Sequence, residues 1–86
     1  MNINDLIAIV KTKLQNKIVI EKIDIEDKSF LHKNHVSHQQ GKFHLKVMII
    51  SAELKKLNKI ESNKKIYKVL NEEMKEYIHS LQILIS

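Results

Sequence analysis

The apolar residues of this chain change their spacing three times along its length, and that order of periods limits what it can fold into. Ile3, Leu6, Ile7, Val10 and Leu14 step by three and four, which lines one side of a helix over residues 3–15. Asn2 or Asn4 can cap it, Asp5 suits the positive end of its dipole, and Lys11, Lys13 and Lys17 sit towards the negative end. From Ile18 the period falls to two: Ile18, Ile20, Ile23 and Ile25 predict an extended strand. FHLKVMIIS (43–51) alternates again, and its second half is apolar on both faces, as in a strand covered on both sides. Helical spacing returns after Ser51, with a short helix or turn over 51–57 and a longer helix over 59–75 that would bury Ile60, Ile66, Tyr67, Leu70 and Met74. IHSLQILIS closes the chain as a strand, with His79, Leu81, Ile83 and Ile85 on one face. The result is an α+β domain of order αββααβ, a three-stranded sheet with helices packed on one face.

Residues 1–86 suffice for a single domain. A chain of this size buries only roughly 60–65% of the surface its unfolded form exposes. With no cysteine there is no disulfide to help, so the patterning must carry the fold. The first residues do not read as a signal peptide, no apolar run approaches the ~18 residues of a membrane span, and the expected location is cytoplasmic. The net charge of +5 comes from lysine alone, without one arginine. Arginine supplies bidentate contact with guanine and phosphate, and the four aromatics offer few stacking platforms. Sequence-specific nucleic-acid readout is therefore not supported.

No catalytic constellation stands out: there is no cysteine nucleophile, no glycine-rich phosphate loop and no serine flanked by glycines, so enzyme activity is not expected. Glu72, Glu73 and Glu76 read as the solvated face of a helix. Four of the five histidines lie in KSFLHKNHVSHQQGKFH (28–44), whose middle lacks periodicity and holds the only glycine, as a loop between strands does. His32, His35 and His38 have the spacing H-x2-H-x2-H, which three-histidine zinc ligation would allow, and which a solvated loop explains equally. His44 and His79 each open a strand, where a histidine is commonly held by backbone. Lys55, Lys56, Lys59, Lys64 and Lys65 are either an ordinary solvated face or a nucleic-acid contact. The layout resembles a type II KH domain, yet the turn that should carry GXXG reads Leu54-Lys55-Lys56-Leu57-Asn58, where no glycine lets the backbone approach phosphates.

DKSFLHKNH (27–35), FHLKVMIIS (43–51), KIY ending at Tyr67, LNEEM (70–74) and IHSL (78–81) resemble, in order and spacing, the BolA family. That family shows D-x-S-x-x-H, an H-F-K-V strand ending in serine, R-H-R-x-V-Y and I-H-A-L. The resemblance runs from Ile23 to Ile83 and implies a BolA-like αββααβ fold, related to type II KH. It also implies a non-enzymatic adaptor that binds a monothiol glutaredoxin with glutathione, shares a [2Fe–2S] cluster in iron–sulfur assembly or iron regulation, and is a monomer or weak homodimer alone. The histidine of I-H-A-L falls on His79. The loop ligand falls on His32, with His35 in reserve, and His44 takes a structural place. R-H-R reads Ser62-Asn63-Lys64 and F-x-G reads Leu54-Lys55-Lys56; the missing arginines count against the alternative role, known for some members, of DNA-binding transcriptional regulator. A [2Fe–2S] centre needs four ligands, normally thiolates, with histidine replacing cysteine on one iron. A chain without thiolates would share such a cluster with a partner and not hold it alone. Histidine ligation would also be more labile in mild acid than thiolate ligation.

Overall fold

A computed structural model of the chain describes residues 1–29 and 42–86. In chain order the elements are α1 (Ile3–Lys17), β1 (Lys22–Asp27), β2 (Phe43–Ile50), α2 (Ala52–Lys55), α3 (Lys59–Val69), α4 (Asn71–Glu76) and β3 (Ile78–Ile85). The sheet order is β1-β2-β3, with β1 antiparallel and β3 parallel to the central β2. A parallel pair needs a crossover, and α2, α3 and α4 supply it. Leu45, Val47 and Ile49 of β2 pair with Leu81, Ile83 and Ile85 of β3 on the face that joins Leu6, Val10 and Leu14 of α1 in one core. Val47 is 0% exposed, and each fully buried side chain of its kind is worth about 1.5–3 kcal/mol.

Caps and turns follow from local chemistry. Asn2 caps α1 by accepting from Asp5 N–H at 2.8 Å, and Asn58 caps α3 by accepting from Glu61 N–H at 2.8 Å. Ser51, which follows β2 and caps α2, is fully buried; its hydroxyl donates to the Val19 carbonyl at 2.7 Å and accepts from Leu54 N–H at 3.2 Å. One side chain thus ties the turn after α1 to the start of α2.

The structure corrects several expectations. β1 begins at Lys22 and not at Ile18, because Ile18 is the cap of α1, its N–H still bonded to Leu14, and its side chain belongs to the core. The single helix expected over 59–75 breaks at Leu70, which has φ −98° and ψ 18°. β-Branched Val69 and Asn71, both weak helix formers, flank the break, and the turn buries Leu70 completely. Ile60 is 68% exposed and Tyr67 40% exposed, where burial was expected. The buried stripe of α3 runs through Ser62 and Ile66, one helical turn apart, so Ile60 falls on the opposite side. β2 is not covered on both faces: Ile50 is 46% exposed on the side away from the helices. Glu73 is not on a solvated face, since the break turns it inward to meet Lys13 at 2.6 Å.

Candidate metal-ligand site at the start of the third strand

The register of β2 and β3 runs Phe43↔Ile78, then His44↔Ser80. β3 advances two residues where β2 advances one, so His79 is the extra residue of a β-bulge. Bulges re-aim side chains, and here the result is an exposed imidazole beside a buried one. His44 is only 8% exposed; its Nδ1 lies 2.6 Å from the Ser80 hydroxyl oxygen. The two rings stand 4.9 Å apart between centroids, tilted by 59°. No described side chain or backbone group hydrogen-bonds the ring nitrogens of His79.

The end of β1 is fastened at the same place. Asp27 Oδ1 accepts from Ser29 N–H at 2.9 Å, a turn that aspartate favours by satisfying a backbone donor two residues on. The Ser29 hydroxyl oxygen in turn accepts from His44 N–H at 3.0 Å, and Lys28 N–H donates to the His44 carbonyl at 2.7 Å. Phe43 N–H donates to the Tyr77 carbonyl at 2.8 Å. The chain therefore leaves β1 at Ser29 and re-enters β2 at Phe43 next to His44 and His79. His32 and His35, the expected loop ligands, and His38 lie outside the described residues.

The ligand capacity of the described part is limited. Among the described residues no three His, Cys, Asp or Glu side chains converge as a metal site. His44 already holds Ser80, which leaves His79 as the exposed imidazole at this end. One such ligand fits a cluster that is completed from elsewhere, and does not fit a cluster held by the described residues alone. Asp27, Ser29 and Ser80 hold the residues around His79 in place; the first two lie in the D-x-S motif and Ser80 in IHSL, but the motifs alone assign them no role, and the aspartate–serine turn at 27–29 is the clue for two of them.

The candidate nucleic-acid lysines divide between opposite sides of α3. Lys64 and Lys65 join Lys13, Lys17 and Lys68 along a groove between α1 and α3. Lys55 and Lys59 line a different groove, between the α2–α3 turn and β3, and Lys56 lines neither. Lys65 is engaged with Glu53 at 2.9 Å, which holds the Glu53 carboxyl below its ordinary range. Lys13 is engaged with Glu73 and is raised above its ordinary value chiefly by that bond. Lys17, Lys64 and Lys68 form no ion pair with a described residue.

Comparison with known proteins agrees with this architecture. Residues 14–86 match the family model described as BolA-like protein. The chain is 33% identical over 75 residues to the DNA-binding transcriptional regulator BolA of Haemophilus influenzae, covering 87% of this chain and 70% of that one. Among solved structures it is similar to BolA1 from Arabidopsis thaliana, with a TM-score of 0.75, 26% identity, and coverage of 92% of this chain and 87% of the other. The BolA domain of SufE1 from the same plant superposes with a TM-score of 0.79 at 21% identity, over 100% of this chain and 93% of that one, a likeness of fold. The chain belongs to the BolA-like family, with its α+β fold. No helix of the described residues is long and apolar enough to cross a membrane.

Proposed function

We propose that this chain is a non-enzymatic adaptor that binds a monothiol glutaredoxin and shares a [2Fe–2S] cluster with it. His79 supplies one ligand and a histidine of the 30–41 segment the second, His32 first and His35 in reserve. The observation that carries this reading is the bulge that exposes His79 where that segment leaves and returns. A glutaredoxin cysteine and glutathione complete the four ligands. When bound, the cluster supplies an iron–sulfur unit to hand on; this chain's own part is to present imidazole and to hold it in place through His44, Ser80 and Ser29. Mixing the chain with a monothiol glutaredoxin, glutathione, iron and sulfide is expected to give visible circular dichroism distinct from that of the glutaredoxin homodimer. His79→Ala should abolish the difference; an unchanged mixed spectrum from that variant would remove His79 from the ligand set.

A second reading, nucleic-acid binding in regulation of transcription, is favoured by the lysine groove between α1 and α3. The name of the Haemophilus influenzae relative points the same way. Lys17, Lys64 and Lys68 would neutralise phosphates there, and Lys55, Lys56, Lys59 and Lys65 would add to the field. Such binding weakens steeply with salt. No retardation of duplex or single-stranded DNA at low salt would dispose of it.

A further inference from the structure

The sheet has two edges, and they are not treated alike. β1, KIDIED, carries four charged residues in six, at Lys22, Asp24, Glu26 and Asp27. β3, IHSLQILI, carries no acid or lysine in eight residues and no proline. Charges and prolines are what blunt an exposed edge against pairing with another strand. At the far end of β3, Ser86 N–H donates to the Ile49 carbonyl at 2.8 Å, and the Ser86 carbonyl accepts from Ser51 N–H at 3.1 Å. Successive residues of a strand point their backbone groups to opposite sides, so Ile85, Ile83 and Leu81 direct theirs away from β2. The Tyr67 hydroxyl, 3.3 Å from the Leu81 carbonyl on that outer side, fits this parity. Tyr67 thereby covers one carbonyl, while the N–H and C=O groups of Ile83 and Ile85 have no partner among the described residues.

A groove adjoins these open groups. Leu57, Ile83 and Ile85 give it apolar walls, and Lys55 and Lys59 stand on it without an ion pair to any described residue. We propose that the outer edge of β3 takes an extended segment of a partner protein as a fourth strand. The segment would be one in which apolar side chains, seated against Leu57, Ile83 and Ile85, alternate with carboxylates that meet Lys55 and Lys59. Backbone pairing supplies affinity in such strand addition, and the flanking pocket and charges supply selectivity. The charge of the site decides between occupants. A second copy would bring another +5 chain with the same lysines against this edge. Nucleic acid finds there no glycine turn, no arginine and no aromatic wall. The inference is independent of cluster sharing, because Ile83 and Ile85 are four and six residues beyond His79 in an extended strand.

The test is a titration of the nitrogen-15-labelled chain with a synthetic heptapeptide alternating valine and glutamate, read by amide shifts and hydrogen exchange. The Ile83 and Ile85 amides are expected to shift and to exchange at least tenfold more slowly. The double variant Lys55→Glu/Lys59→Glu should weaken binding at least tenfold while its free spectrum stays folded. Shifts confined to the α1–α3 groove, no shift at saturating solubility of the peptide, or equal binding by the double variant would each overturn the proposal. So would protection of Ile83 and Ile85 by oligothymidylate in place of the peptide, or protection that grows with protein concentration alone, which would assign the edge to nucleic acid or to a second copy.

Discussion

β1 and β3 flank the same central strand, yet one edge is closed by charge and the other is left open. On β1, Glu26 faces Lys46 across the ladder and pairs with Lys28 at 2.7 Å, so its outer face is a lattice of opposite charges. On β3 the uncharged run begins with a bulge that exposes His79 and ends at Ile83 and Ile85, whose outward backbone groups have no partner among the described residues. The difference teaches where this small fold keeps its means of contact. On the two proposals above, a single strand carries a ligand at one end and a pairing edge at the other, while its opposite number carries charge.

Erasing that difference should give the largest effect. Asp24→Val with Glu26→Val removes two of the four charges of β1, those of its middle, and the expected outcome is self-association, measured as a rise in weight-average mass by sedimentation or light scattering. The reverse change, Leu84→Glu, puts a negative charge on β3 at a position 43% exposed, on the groove that is proposed to take the peptide's carboxylates. It should end capture of the valine–glutamate peptide while altering stability by less than about 0.5 kcal/mol, as surface substitutions usually do.

The next contrast is between the two histidines at the bulge. His44→Ala removes a buried ring together with its bond to Ser80, and should cost about 1–3 kcal/mol in denaturant unfolding. His79→Ala, at an exposed site, should change stability by under about 0.5 kcal/mol. Equal losses from the two would mean that His79 is part of the fold and not a presented ligand.

The smallest effect expected is in acid. Lys28 and Lys65 hold the Glu26 and Glu53 carboxyls below the ordinary value of 4.5, through side-chain bonds first of all. The folded state then binds fewer protons than the unfolded one, so stability from these groups is complete above that value and is lost as pH falls through the lowered folded values. Glu26 is exposed and Glu53 half-buried, so solvent screens both and the slope should be shallow, and Glu26→Gln with Glu53→Gln should flatten it further.

Much of the fold was legible because it rests on periodicity. Leu6, Val10 and Leu14 marked α1, and the alternation of Leu45, Val47 and Ile49 marked the buried face of β2. What misled was context that spacing does not carry. Ile18 looked like a strand residue because it is apolar and extended, although it caps a helix. Ile60 looked buried because it is apolar, although the stripe centred on Ser62 and Ile66 faces elsewhere. At the candidate site, His79 stood out by motif, but the bulge that exposes it depends on register between two strands far apart in the chain. The Ser29–His44–Ser80 bonding likewise joins residues 15 and 36 positions apart, beyond the reach of local pattern.

The central claim is that His79 binds iron in a cluster shared with a partner. Pulsed electron paramagnetic resonance of the reduced mixed cluster, assembled with the chain labelled by nitrogen-15 histidine, tests it most directly. The account predicts histidine nitrogen hyperfine couplings in the wild type, with one set lost in His79→Ala. A wild-type spectrum without any histidine coupling, or one that His79→Ala leaves intact, would contradict it.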